Sequence, residues 1–186
     1  MPRSAVTRRE YPDAMTGATR VLWIAALTWA ILFSLLAGLF ASGYAMDDPG
    51  GRAGFGLVLL IFGPMILGSL LAWKRPAIAY PTLIAVTALA VVIAVWQLID
   101  VRSLVDFENE HGPISAIASF ITMVPFALVW RHRRWPATLL LLVVALVGVL
   151  PEVRTGLHMG SSMAAALPML LEAALLGAAA ALAPRR

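Results

Sequence analysis

The chain has 186 residues, of which 61% are hydrophobic, 13% charged and none cysteine. A soluble chain averages roughly 45–50% apolar and about 25% charged residues, so this composition points away from a water-soluble domain. The missing thiols exclude disulfides, thiolate metal ligands and cysteine chemistry. The net charge of +4 sits in turns between apolar blocks and not on one face, which argues for membrane orientation and against nucleic acid as a partner. The expected fold is therefore an all-α integral membrane protein.

A hydrocarbon core of about 30 Å needs roughly 20 apolar residues at 1.5 Å per residue. Residues 1–20 read as a polar tail carrying Pro2, Pro12, Gly17 and four arginines. Arg8-Arg9 and the small residues of Gly43-Tyr44-Ala45 resemble parts of an export signal, but about 25 apolar residues exceed the usual 7–15 of a signal core. A membrane span from Val21 to Ala45 is the reading instead. Further spans are predicted over Gly54 to Trp73, Ala77 to Ile99, Pro113 to Trp130, Trp135 to Val153 and Ser162 to Leu182, with a basic end at 184–186. One domain, 21–183, thus holds a six-transmembrane-helix bundle with short loops. Span five is the weakest, since its strictly apolar stretch, Pro136 to Leu150, has only 15 residues and leaves a re-entrant segment open.

Eleven of the 14 Lys and Arg residues fall on one side: Arg3, Arg8, Arg9 and Arg20, the Lys74-Arg75 turn, Arg131, Arg133 and Arg134, and Arg185-Arg186. Seven acids lie on the other, Asp47, Asp48, Asp100, Asp106, Glu108, Glu110 and Glu152, with Arg52, Arg102 and Arg154 among them. The positive-inside rule then makes both termini cytoplasmic in an inner, cell membrane. Trp73, Trp130, Trp135 and Trp96 lie at span ends, where an amphipathic ring suits the membrane interface, and read as anchors.

Two short turns are alike. Trp73-Lys74-Arg75-Pro76-Ala77 and Trp130-Arg131-His132-Arg133-Arg134-Trp135-Pro136-Ala137 each close a span with Trp and open the next with Pro-Ala, where a missing N–H costs nothing. A parallel duplication of two hairpins and a shared grammar for tight turns both account for this, and the grammar is favoured. The basic turns resemble those in membrane-sensor regions of sensor histidine kinases; no phosphoacceptor helix or ATP-binding segment is read in the 186 residues. Six spans with Ala26/Ala30 and Ala37/Ala41 also resemble the substrate-binding component of energy-coupling-factor vitamin transporters. That resemblance implies that these small pairs dock on a transmembrane partner.

Glu172 is the residue most out of place, near the middle of span six in Pro168-Met-Leu-Leu-Glu172-Ala-Ala-Leu-Leu-Gly177. A charged side chain at the bilayer centre costs at least about 2.5–3.5 kcal/mol. It is expected to face the bundle interior, either as a proton or cation carrier or as a neutral acid locking a helix contact. Ala173, Gly177 and Ala181 at four-residue intervals are expected to let another helix approach closely. Span six is accordingly expected at the centre or at a protein interface. Pro64, Pro125 and Pro168 fall within spans and are expected to bend them. Gly54, Gly56, Gly63 and Gly68 of span two suit close packing better than a phosphate cradle.

The outer loop from Asp100 to Pro113 gathers Asp106, Glu108, Glu110 and His111. Carboxylates beside imidazole can hold a divalent cation, and His158 has the chemistry to join them, but the spacing fits neither a His-Glu-x-x-His nor an EF-hand pattern. A solvated, topology-setting acidic loop is the expectation, with a pH-sensing or partner-docking surface as the alternative, and with no metal and no cofactor. Ser161-Ser162 near His158 lacks a nucleophile elbow, and no enzyme is expected. The function expected is that of a non-enzymatic accessory, sensor or assembly subunit packed against a larger membrane protein; the expected partners are the lipid bilayer and either such a membrane protein or, for the carrier below, further copies of this chain. The alternative is a small proton- or cation-coupled carrier, or a vitamin-type substrate-binding component, built on Glu172.

Overall fold

The computed structural model describes residues 15–46, 52–100, 114–155 and 159–183. These form six helices and, among the described residues, no strand: α1 Gly17–Met46, α2 Arg52–Lys74, α3 Pro76–Ile99, α4 Ile114–Val129, α5 Arg134–Thr155 and α6 Met159–Leu182. The apolar blocks of the sequence are thus the helices, with ends displaced by a few residues. The largest displacement is at the start, where α1 already includes Gly17–Arg20, assigned above to the polar tail. Thr16 explains the early start: its hydroxyl accepts the Thr19 backbone N–H at 3.3 Å and lies 2.7 Å from the Thr19 hydroxyl, a helix cap that the tail reading overlooked.

The two basic turns are built differently. Pro76 occupies the first turn of α3 directly after Arg75. Between α4 and α5, the Val129 carbonyl accepts the N–H groups of both His132 and Arg133, at 2.9 and 3.1 Å, and the Ala137 N–H then starts α5 on the Arg133 carbonyl. Backbone groups in this short reversal are satisfied with little help from side chains.

The helices pack as α1 on α2, α2 on α3, α3 on α5, α5 on α6 and α6 on α1, which closes a ring of five. α4 lies inside the ring and touches all five others. Its residues Met123 to Val129, and Trp130 directly after it, are buried without interruption. The central helix is therefore α4; of the two places expected for span six, the centre is excluded, because its helix α6 is a ring helix that keeps Leu167, Leu171 and Leu182 exposed. The ring also separates the two similar hairpins: α2 and α3 are both peripheral, whereas α4 is enclosed and α5 is peripheral.

Three side chains of α1 fix it to its neighbours through main-chain carbonyls. Trp23 Nε1 donates to the Ala127 carbonyl at 2.8 Å, Ser34 Oγ to that of Phe120 at 2.8 Å, and Trp29 Nε1 to that of Pro168 at 3.0 Å. Each such bond contributes roughly 0.5–1.5 kcal/mol. Gly68 of α2 sits against Pro125 of α4, close enough that an added Cβ would lie 3.2 Å from Pro125 Cγ, whereas Gly63 faces no atom within 4 Å. Of the span-two glycines with described side-chain positions, Gly68 alone meets the packing expectation; Gly54 and Gly56 lie outside them. Pro64, Pro125 and Pro168 are inside α2, α4 and α6 as expected, and Pro81 lies inside α3, which the sequence reading passed over.

Two helical stretches, Gly17–Leu39 and Pro76–Trp96, are long and apolar enough to cross a membrane. The apolar stretches Phe120–Val129, Arg134–Val149 and Ala166–Leu182 are shorter, at or below the roughly 17 residues that a span requires. The six-span count therefore exceeds what helix length and composition support among the described residues.

Candidate functional site

On α6, the residues Met169, Glu172, Ala173, Leu176, Ala179 and Ala180 recur at three- and four-residue intervals and form its buried face. Glu172 is carried inward by this register and is 0% exposed. Neither Oε1 nor Oε2 has a hydrogen-bond partner among the described residues. Among the described residues, the other buried polar residues are Thr19, Ser34, Thr87 and Thr138, so no described cation shares the interior with this carboxyl group. Thr87 and Thr138 donate their hydroxyls to carbonyls four residues earlier, at 2.8 and 3.0 Å, and so do not serve it.

The surroundings of Glu172 are fixed by two contacts. Trp29 of α1 grips the Pro168 carbonyl, one helical turn before Glu172, the carbonyl that accepts the Glu172 N–H in regular helix geometry. A turn and a half further on, Gly177 lies against Thr138 of α5, where an added Cβ would meet its methyl at 3.7 Å. The carboxyl thus lies between two pinned points of a ring helix. Ser69 Oγ and Trp130 Nε1 are also buried without a partner among the described residues.

The packing trio divides. Ala173 is buried, Gly177 is half-buried, and Ala181 is exposed. Four residues advance an α-helix by about 40° beyond one turn, so three residues at that spacing swing from the inner to the outer face. The three therefore do not form one buried packing face on α6. Among the described side chains of α6, the exposed small positions are Ala174, Ala178 and Ala181. Ala26 and Ala30 are both fully buried in this chain's own core, so they are not free to dock a partner as the transporter resemblance implies. Asp106, Glu108, Glu110, His111 and His158 lie outside the described residues.

At one end of the bundle, the two basic turns and the first turns of α1 meet. The Arg131 guanidinium lies 5.2 Å from the Trp23 ring centre and 5.8 Å from that of Trp73. Arg133 lies 5.5 Å from the ring of Tyr80, and Arg134 lies 5.7 Å from that of Trp130. Trp73, Trp135 and Trp96 are 62%, 53% and 61% exposed, in keeping with anchors. Trp130 is 0% exposed and is not one. It ends the central helix, so the surrounding ring encloses its indole.

No protein family, curated protein or solved structure matches this chain.

What the site can do is therefore a matter of its own chemistry. Partial burial, and next the Arg131 guanidinium, hold the His132 imidazole below its ordinary value of 6.5. A depressed pKa stabilises the fold above the unfolded value, and that contribution is lost as pH falls through the folded one. Thermal unfolding in detergent should show a midpoint that drops on acidification below about pH 6.5, and His132→Gln should flatten the drop. An identical pH dependence in the variant would remove His132 from this role.

Sequence reasoning found Glu172 but missed Trp29, Trp23 and the ring contacts of Arg131. The available signal was the presence of indole N–H groups well inside an apolar helix, since a buried indole seeks an acceptor.

Proposed function

We propose that this chain is a multi-pass membrane protein whose six helices form one bundle, with both termini and both basic turns on the cytoplasmic side of a cell membrane. One observation carries the reading: the outside is apolar and the polar groups are inside. Each ring helix exposes large aliphatic side chains, among them Leu32, Leu67, Val92, Leu139 and Leu167, while Glu172, Ser34 and Thr87 are buried. A soluble monomer rarely exposes apolar surface on this scale, whereas a lipid-facing surface requires it. Short helices such as α4 suit this arrangement because α4 is wrapped by protein and needs no lipid contact of its own.

Within that membrane setting, the chain acts as a non-enzymatic accessory, sensor or assembly subunit packed against a larger membrane protein. Ala174, Ala178 and Ala181 support this, since small outward-facing residues let a partner helix approach closely. Purification from native membranes in mild detergent, followed by mass spectrometry, should recover one larger membrane protein in stoichiometric amount. Ala178→Trp should release that partner and leave the bundle folded. Recovery of the chain alone, or as a homo-oligomer only, would contradict the subunit reading.

Glu172, which has no partner among the described residues, favours a second reading, that of a proton- or cation-coupled carrier. A lone carboxyl group in an apolar bundle is a costly feature, and proton or cation pathways are where such groups are retained. Glu172→Gln in proteoliposomes should then abolish pH-driven flux, and unchanged flux would end the carrier reading.

A further inference from the structure

The basic end has a construction that goes beyond membrane orientation. Arg20, Lys74, Arg75, Arg131, Arg133 and Arg134 converge there from three separate stretches of chain, and no carboxylate among the described residues pairs with any of them. Along α3 and α5 the described acids fall at the far end, Asp100 being the C-terminal cap of α3. In place of ion pairs, three guanidiniums are stationed over aromatic rings at 5.2–5.8 Å. A ring face fixes where a guanidinium sits while leaving its N–H groups available, and those donors fit the oxygens of a phosphate in a forked geometry. Arg131 and Arg133 remain exposed in this arrangement.

The surface changes character abruptly below the cations. Leu70, Ile78 and Leu139 are exposed within about one helical turn of Lys74, Arg75 and Trp135, with the exposed Trp73 and Trp135 rings at the boundary. Cations above, indoles at the boundary and aliphatic side chains beneath match, in order, the phosphate, the glycerol region and the acyl chains of a phospholipid. A free phosphate has no use for the apolar portion.

We propose that this end of the bundle is a binding site for an anionic phospholipid, with its headgroup phosphate held by Arg131 and Arg133 and its acyl chains lying on Leu139 and Ile78. The proposal rests on the membrane reading above. It is specific in that it names a lipid of negative charge, not the bilayer at large.

The full chain, purified in a neutral detergent, should bind phosphatidylglycerol in preference to phosphatidylcholine when titrated with each and observed by native mass spectrometry. Arg131→Gln with Arg133→Gln should weaken phosphatidylglycerol binding by about 25-fold, a factor of about five for each lost cation. Arg52→Gln with Arg154→Gln removes the same charge from the opposite helix ends and should leave binding unchanged. Equal binding of the two lipids by the unaltered chain would overturn the proposal whether or not any variant folds. So would an equal loss in both variant pairs, or displacement of the lipid by millimolar inorganic phosphate alone. A chain that stays in solution without detergent would instead sink the membrane reading, which keeps the two failures apart.

Discussion

Glu172→Met is expected to stabilise the bundle. Both carboxyl oxygens are buried and lack a partner among the described residues, and burying a polar group without compensation costs roughly 1–3 kcal/mol in proteins. Methionine has a similar length and no polar demand, and it suits the apolar face made by Met169, Ala173 and Leu176. Unfolding titrations in mixed micelles should therefore show a gain of about 1–3 kcal/mol for the variant. The same variant should lose any carrier activity, while a purely accessory subunit should keep its partner. A comparable loss of stability would mean that the carboxyl is held by a group beyond the described residues, and the orphaned site would no longer be a feature of this protein.

The second large effect is expected where α1 meets α2. The Phe62 ring occupies the space beside Gly38 into which any Cβ would project, so only the absence of a side chain permits the contact. Gly38→Leu should drive the ring out of its position and destabilise the protein by about 1–3 kcal/mol, the usual range for overpacking a core. Phe62→Ala in the same chain should recover much of that loss, because the smaller residue returns the space. Measured as a double-mutant cycle, the pair should show a coupling of roughly 0.5–3 kcal/mol. Strictly additive effects would indicate that the ring and the glycine do not meet.

The helices themselves were legible because each apolar block is bounded by charge, proline or glycine. Val21 to Ala45 was read for Gly17–Met46, and Ala77 to Ile99 for Pro76–Ile99. Their arrangement was not. In a soluble bundle, the polar stripe on each helix reveals which face is outside, but here Phe120 to Val129 of the enclosed α4 is no more apolar in type than Leu89 to Val95 of the peripheral α3. Where the surface is as apolar as the core, that signal disappears. The place of α4 at the centre, the burial of Trp130 and the inward use of Ala26 and Ala30 all follow from ring order, which no local pattern encodes. Glu172 was legible for the opposite reason, as a carboxylate standing alone among apolar residues. Its neighbour Trp29 was not, because the bond to Pro168 depends on which two helices adjoin.

The proposed topology, an apolar exterior within the membrane and the basic turns on the inside, is tested most directly by thiol labelling. The chain contains no cysteine, so single cysteines placed at Asp106, Arg133 and after Arg186 are each a unique label. On intact cells, a membrane-impermeant thiol reagent should modify the Asp106→Cys variant and spare the other two until the membrane is opened. Labelling of Arg133→Cys or of the added C-terminal cysteine on intact cells, or equal labelling of all three, would contradict the account.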